Sequence, residues 1–160
     1  TALSAVILGK VLEKEMVPIA KSYKPNVPIN DPYIPKIPST FRTDNCKISS
    51  NKKYVNVGAK KIDSRFFGIW KQEDGDNVLY EIKTKGNSID IISWSDNLKE
   101  NFIVSGISWK PDIIFATSYM PSTNYRRVSK IKIQDNCTLY EEYKSGGNEN
   151  TLKLLKYQYQ

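Results

Sequence analysis

The sequence predicts an all-β, mainly antiparallel fold: an up-and-down barrel of about eight strands, preceded by a helix and an extended proline-rich strap. Three observations predict it. Residues 66–160 contain short segments rich in Ile, Val, Tyr, Phe and Trp, separated by clusters of turn residues. No segment between them has the pattern of a helix, so the strands follow one another as a meander. Six of the eight prolines lie before residue 65.

Residues 1–65 form the first predicted region. Apolar residues from Leu8 to Ile19 recur at spacings of three and four, which predicts a helix that ends before Pro18. Five further prolines lie three or four residues apart between Pro25 and Pro38, and such a segment is extended. A spacer or a peptide ligand of the PxxP kind is the alternative. Apolar residues interleave the prolines, which favours a strap lying across the domain.

Residues 66–160 form the second predicted region, and the two regions are expected to make one compact unit. The predicted strands are residues 66–72, 77–84, 87–94, 101–109, 112–120, 126–134, 137–143 and 151–158. Val78, Tyr80 and Ile82 alternate with more polar neighbours, which indicates one buried and one solvated face. The third to fifth strands are apolar on both faces. We therefore expect part of the chain to cover the outside of the barrel there.

The charge distribution separates the same two regions. Residues 1–65 contain 12 Lys and Arg against 5 Asp and Glu, whereas residues 66–160 contain 12 of each. The whole net charge of +7 therefore belongs to the first region. The chain has no His, which excludes Ser–His–Asp and Cys–His catalysis and metal sites that use His. We expect no enzyme, no metal and no cofactor.

The first predicted strand carries a family resemblance. Gly68 and Trp70 resemble the G-x-W signature that opens the first strand of lipocalins and related calycin barrels. In that family the Gly lets the chain bend and the Trp plugs the closed end of the barrel. Asp135 is a counterpart of the Asp in the family's Thr-Asp-Tyr motif, although that Thr and Tyr are missing here. The family also places an Arg over the Trp, and here Lys153 or Lys156 takes that place.

The resemblance covers about residues 66–160 and implies a cup that binds a small apolar molecule. A core Trp in another kind of β-barrel or sandwich is the alternative. If the barrel has a binding cavity, alternation predicts its lining, although both faces of the fourth and fifth strands are candidates. The predicted lining residues are Trp70, Tyr80, Ile82, Phe102, Val104 and Phe115. A solid core without a ligand has the same pattern.

The two cysteines predict a link between the regions. Cys46 lies in the basic segment and Cys137 begins the seventh predicted strand, and one disulfide between them is expected. Two reduced thiols in a cytosolic protein are the alternative. The disulfide predicts an exported protein, secreted or periplasmic. No apolar segment has the length of about 20 residues that a membrane-spanning helix needs.

Two functions follow from these patterns. The first is a non-catalytic exported protein that holds a small apolar or amphipathic ligand in its barrel. The alternative is a protein–protein module, such as an inhibitor, an immunity protein or a surface-assembly component, that binds an acidic protein or an anionic surface. Its predicted contact residues are Lys52, Lys53, Lys60, Lys61 and Arg65. Nucleic acid is not an expected partner, because residues 66–160 are neutral in sum.

Overall fold

The computed structural model describes residue 35 and residues 41–42, 46–49, 51–74 and 76–159. The chain divides into two compact units, Thr1–Asp31 and Pro32–Gln160, and the described residues all belong to the second. The predicted N-terminal helix lies outside the described residues. So does the predicted strap apart from Pro35, which is buried. The division of the chain at residue 65 stays a prediction.

The described residues contain twelve strands and one 3₁₀ turn (Ser64–Phe66). The strands are β1 (Phe41–Arg42), β2 (Tyr54–Val57), β3 (Lys60–Asp63), β4 (Gly68–Gln72), β5 (Val78–Lys85), β6 (Ser88–Ser95), β7 (Glu100–Lys110), β8 (Ile113–Met120), β9 (Tyr125–Asp135), β10 (Thr138–Ser145), β11 (Asn148–Lys156) and β12 (Gln158–Tyr159).

Strands β4 to β11 form a closed, eight-stranded antiparallel barrel. Each strand pairs with the next in sequence, and β11 returns to β4, where Lys156 lies opposite Trp70. The barrel has no open edges in this sheet, which removes the unpaired backbone groups that an edge strand presents. The predicted up-and-down barrel is confirmed. Its eight strands correspond one to one with the eight predicted from the sequence.

Alternation decides which side chains face the interior. In β5, buried Val78, Tyr80 and Ile82 alternate with half-buried residues, as the period of two requires. In β7 the alternation breaks at a bulge between Ser105 and Ser108, where Gly106 has a φ of 60°. A bulge inserts one extra residue and exchanges the faces of the strand beyond it. Val104 before the bulge and Ile107 after it therefore pack against the same core.

The predicted cover over the outer wall stays a prediction, although one outward residue is buried. Trp94 lies on the outer face of β6, since it alternates with the inward-facing Ser93 and Ser95. It is only 2% exposed.

The end of the barrel at which β4 begins is capped by the chain that precedes it. We call it the capped end and the opposite end the loop end. The hairpin β2–β3 and the 3₁₀ turn place Val57, Ile62 and Phe66 in the same hydrophobic cluster as the barrel interior. The backbone N–H of Asp63 donates to the carbonyl of Pro111, 2.8 Å away in the turn between β7 and β8.

Residue 46 is attached to the same end by a disulfide. Cys46 and Cys137 are bonded, as the sequence predicts. The side chain of Asn136 strengthens this attachment, since it accepts a hydrogen bond from the backbone of Ser49 and donates one to the carbonyl of Lys47. Within the part of the chain described here, no helix is long and apolar enough to cross a membrane.

Candidate functional site: a polar cluster in the barrel interior

The barrel interior divides into two halves of different chemistry. Towards the capped end it is apolar, and its buried residues are Trp70, Ile82, Ile89, Ile91, Ile114, Ile131, Leu139 and Leu154. Towards the loop end the buried residues are mostly polar: Gln72, Tyr80, Ser93, Ser95, Ser118, Arg127, Ser129 and Glu141. Buried polar groups need partners, so the second half is the part of the interior whose chemistry requires explanation.

Tyr80 is the centre of this polar half. Its hydroxyl accepts a hydrogen bond from Gln72 Nε2 at 3.3 Å and donates to Glu141 Oε2 at 3.3 Å. Arg127 Nη2 also contacts the Tyr80 hydroxyl. Side chains from four strands, β4, β5, β9 and β10, thus meet at the Tyr80 hydroxyl oxygen. Gln72, Tyr80 and Glu141 are 2% exposed or less.

Arg127 lies among aromatic rings as well as beside a carboxylate. Its Nε is 3.6 Å from Glu141 Oε1, a distance that makes an ion pair but no hydrogen bond here. The guanidinium carbon is 5.0 Å from the ring centroid of Tyr143, 5.8 Å from that of Phe102 and 5.9 Å from that of Tyr80. Cations are attracted to aromatic faces at such distances, most strongly where water is excluded. The Arg127 guanidinium is therefore stabilised by uncharged aromatic rings as well as by the carboxylate of Glu141.

The cluster is electrostatically strained. Burial raises the pKa of Glu141, and the Arg127 charge and the Ser129 hydroxyl offset that rise only in part. Three buried polar atoms of this half, Arg127 Nε, Ser93 Oγ and Ser129 Oγ, have no hydrogen-bond partner within the described residues. An unsatisfied buried donor costs about 1–3 kcal/mol. The polar half thus contains hydrogen-bonding capacity that its own residues leave unused.

The predicted lining residues lie in different parts of the barrel. Trp70 and Ile82 are inside, in the apolar half, where they pack in the core. Tyr80 is inside, in the polar half. Phe102 and Val104 are half-buried against the core, and Phe102 is beside Arg127. The structure thus brings Tyr80 and Phe102 together at the polar cluster and separates them from Trp70 and Ile82.

Phe115 does not line the interior, and its predicted placement is wrong. It alternates with the buried Ile114 and Ala116, so it lies on the outer face of β8. Both faces of this strand are apolar, and a period of two alone does not distinguish them. The inward positions of β8 near the polar half are those of Ser118 and Met120.

Gly68, Trp70 and Lys156 form a second cluster, at the capped end. Trp70 Nε1 donates to the carbonyl of Phe66 at 2.9 Å, and Lys156 Nζ lies 5.3 Å from its ring centroid. Gly68 has a φ of 139°, and a Cβ there would be 3.0 Å from Lys156 Cε. Gly68 thus leaves room for the lysine that covers the Trp. Burial lowers the pKa of Lys156. Lys153 lies over Tyr140 instead.

The predicted partner-binding residues are mostly on the β2–β3 hairpin and its approach. Lys52, Lys53, Lys60 and Lys61 are exposed, with Lys52 3.7 Å from Asp112 and Lys60 over the ring of Trp109. Arg65 is different. Its guanidinium binds the buried carboxylate of Asp63, with one N–O distance of 2.7 Å. The charge of Arg65 is therefore used within the cap and is not offered to a partner.

The outer wall has a groove of about 330 Å³ near the start of β4. Its lining is Phe67, Gly68, Ile69, Glu81, Ile82, Lys83 and Thr84. The groove is shallow and open to solvent.

Sequence reasoning placed Tyr80 inside the barrel but missed the charged residues of the polar cluster, although a signal was present. Arg127 and Ser129 are in phase with the buried Ile131, and Glu141 is in phase with the buried Leu139. A charged residue that continues a buried alternation indicates a polar interior position. Glu141 and Glu142 are adjacent on β10 and face opposite sides, and the first is 1% exposed while the second is exposed.

No three His, Cys, Asp or Glu side chains converge as a metal site would require, among the residues that the structure describes. No protein-family model, no curated protein and no solved structure matches this chain.

Proposed function

We propose that the protein is an exported, non-catalytic binding protein with a calycin-like barrel that takes a small amphipathic ligand at the loop end of its interior. The single observation that carries this proposal is the buried Arg127, whose Nε has no hydrogen-bond partner in the described part of the chain, at the centre of an aromatic and polar cluster. An anionic or strongly polar group of the ligand would complete that bond.

The two halves of the interior support an amphipathic ligand over a purely apolar one. The apolar half is occupied by fully buried side chains, including Trp70, Ile82 and Leu139. The polar half has the unsatisfied donor, and half-buried Phe102 and Tyr143 border it. A ligand that enters from the loop end meets these two rings with its apolar part and Arg127 with its polar part.

The calycin-like assignment has its own support. The closed eight-stranded meander fits that architecture. Lys156 over Trp70 occupies the place that the resemblance gives to an Arg, and Gly68 adopts a backbone angle that side-chain-bearing residues rarely adopt. The Cys46–Cys137 disulfide supports export, since disulfides persist in oxidising compartments.

The test is the binding of 1-anilinonaphthalene-8-sulfonate, an amphipathic anion whose fluorescence rises in apolar surroundings. We expect about one molecule bound per folded chain. Arg127→Met should weaken binding at least about tenfold, since a charge-assisted hydrogen bond contributes about 1.5–3 kcal/mol. Arg126→Met is the matched control, because Arg126 is the neighbouring residue on β9 and faces outwards over Tyr119. It removes the same charge and should leave the affinity unchanged.

Arg127→Met also leaves Glu141 buried without its partner, so the double variant Arg127→Met/Glu141→Gln serves as the second variant. It removes both charges of the pair, and near-ultraviolet circular dichroism verifies its fold. Equal affinities of the folded double variant and the Arg126→Met control would overturn the proposal. So would native mass spectrometry that shows no bound small molecule in protein purified from its natural source.

The alternative, an interaction module for an acidic protein, has one observation in its favour. Lys53 and Lys61 are exposed, and neither forms an ion pair within the described residues. Charge reversal of both residues would abolish capture of an acidic partner in this case and leave the binding of the fluorescent anion unchanged.

A further inference from the structure

The barrel wall is electrostatically polarised, although residues 66–160 are neutral in sum. The outward positions of β7 to β11 have six cations, namely Lys110, Arg126, Lys130, Lys132, Lys144 and Lys153. The same positions have two carboxylates, Glu142 and Glu149. We call this surface the basic band. Most acidic residues of 66–160 lie outside the basic band, which is why the net charge of this region is zero. Four of them are in the turns at the loop end, namely Glu73, Asp74, Asp76 and Asp96.

Part of the band is already neutralised. Lys132 pairs with Glu142 at 3.0 Å, and Lys144 pairs with Glu149 at 2.9 Å. Lys110 and Lys153 are exposed and form no ion pair within the described residues. Lys130 is also exposed and forms no close ion pair, but it lies opposite Glu142, and its charge helps to lower the pKa of Glu149. Arg126 lies over the ring of Tyr119, 5.2 Å away. Four cations that form no close ion pair thus remain on one side of the barrel.

The strand register arranges three of the six cations in a row, and the middle one, Lys132, is the one paired with Glu142. Lys110 lies opposite Ile113, Ile113 opposite Lys132, Lys132 opposite Tyr140, and Tyr140 opposite Lys153. Each step crosses one strand, about 4.8 Å. Cations therefore recur at every second strand, about 10 Å apart, with Ile113 and Tyr140 between them. One row further along the strands, Lys130 on β9 lies opposite Phe115 on β8, whose ring is half-buried.

The shape of the band selects the partner. The closed barrel has eight steps between neighbouring strands, and the row from β7 to β11 crosses four of them. The row therefore extends around about half of the barrel's circumference. A flat membrane or a rigid globular protein reaches only the middle of such a surface, whereas a flexible linear chain can follow all of it. Lys-rich surfaces are also untypical of protein interfaces, in which Lys is depleted.

From this arrangement we infer that the basic band binds single-stranded nucleic acid. Lysines that contact phosphates provide affinity without sequence preference, and aromatic rings between them offer stacking surfaces to bases. Phe115, Tyr119 and Tyr140 are such rings, and all three are half-buried on the outer wall. This role uses the outside of the barrel and is independent of the ligand proposed for the interior.

The test measures the anisotropy of a fluorescent 20-nucleotide oligothymidylate at several salt concentrations. Four phosphate contacts predict a slope of log K against log salt of about −3. Lys130→Glu/Lys153→Glu should weaken binding about tenfold or more and make the slope shallower by about one unit or more. Lys53→Glu/Lys61→Glu is the matched control, with the same change of net charge on the hairpin, and it should bind almost as the parent protein does.

Three results would overturn the inference. The first is no binding at low salt. The second is an equal loss in the hairpin control, because net charge alone would then explain the affinity. The third is that polyglutamate, or vesicles containing phosphatidylserine, bind more tightly than the oligonucleotide does, and that Lys130→Glu/Lys153→Glu loses this binding too. That result would make an acidic polypeptide or an anionic membrane the occupant of the band.

Discussion

Glu141 and Glu142 are adjacent in sequence, but their carboxylates lie in opposite environments. Glu142 is on the outer wall beside Lys132. Glu141 is in the interior, where burial raises its pKa above the ordinary value of 4.5. The folded protein therefore holds a proton at pH values at which the unfolded chain has released it. Between those two pKa values the free energy of unfolding decreases as the pH rises.

Glu141→Gln should remove this pH dependence. Its free energy of unfolding, minus that of the parent protein, should increase with pH above about 4.5, because Gln never bears the buried charge. Urea unfolding at a series of pH values measures the difference. Glu142→Gln is the control and should show no such increase. A flat profile for Glu141→Gln would mean that Arg127 stabilises the ionised carboxylate fully.

Gly68 is the second residue whose role follows from local geometry. Gly68→Ala should lower the free energy of unfolding by about 1–3 kcal/mol, since a φ of 139° strains any side-chain-bearing residue. The added Cβ also approaches Lys156. Gly146→Ala is the control, because Gly146 has a positive φ but no atom within 4 Å of the new Cβ. The Gly68→Ala loss should be the larger, and urea midpoints that rank the two variants in the reverse order would contradict this reasoning.

At the scale of the element, the cap depends on one buried ion pair. Burial alone would raise the pKa of Asp63, but the hydrogen bonds and charge of Arg65 outweigh it and hold that pKa below 3.8. Asp63 also accepts a hydrogen bond from the backbone N–H of Arg65 and so begins the 3₁₀ turn. The pair joins β3 to this turn, which contains Phe66, a core residue.

Arg65→Met should destabilise the protein by about 1–3 kcal/mol at neutral pH, because it leaves a buried carboxylate without its strongest donors. The loss should shrink as the pH falls through 3.8, since a protonated Asp63 has less need of the cation. Thermal unfolding across that pH range measures it. Lys61→Met, an exposed change on β3, should have almost no effect. A loss from Arg65→Met that is independent of pH would indicate packing, not charge, as the cause.

The elements themselves were largely predictable from the sequence. All eight barrel strands and their order follow from alternation and turn residues, because most of the strands alternate between more and less buried positions. Prediction fails where alternation is locally ambiguous or interrupted. Phe115 is on a strand with two apolar faces, and the bulge at Gly106 exchanges the faces of β7. Tyr80 was predicted inside the barrel, but its polar partners were missed because they come from β4, β9 and β10, and only the closed barrel brings them together.

At the scale of the whole molecule, one alternation generates two surfaces of different chemistry. Along β9, Arg127 and Ser129 face the interior while Arg126 and Lys130 face the solvent. Along β10, Glu141 and Glu142 divide in the same way. A sum over the sequence cannot show this separation, because it adds interior and exterior charges together. The neutral total of residues 66–160 therefore conceals both a buried ion pair and a basic outer band.

The disulfide acts on the whole chain, since its two cysteines are 91 residues apart. Closing a loop of that length in the unfolded state stabilises the folded protein by up to about 4–5 kcal/mol. We expect Cys46→Ala/Cys137→Ala to lose about that amount and still fold, because the barrel closes through β11 and β4 without residue 46. Asn136→Ala is the control: it removes two hydrogen bonds to the same segment, about 1 kcal/mol each, and keeps the covalent loop. If urea unfolding showed equal losses in both variants, the disulfide would act through local contacts and not through the entropy of the unfolded chain.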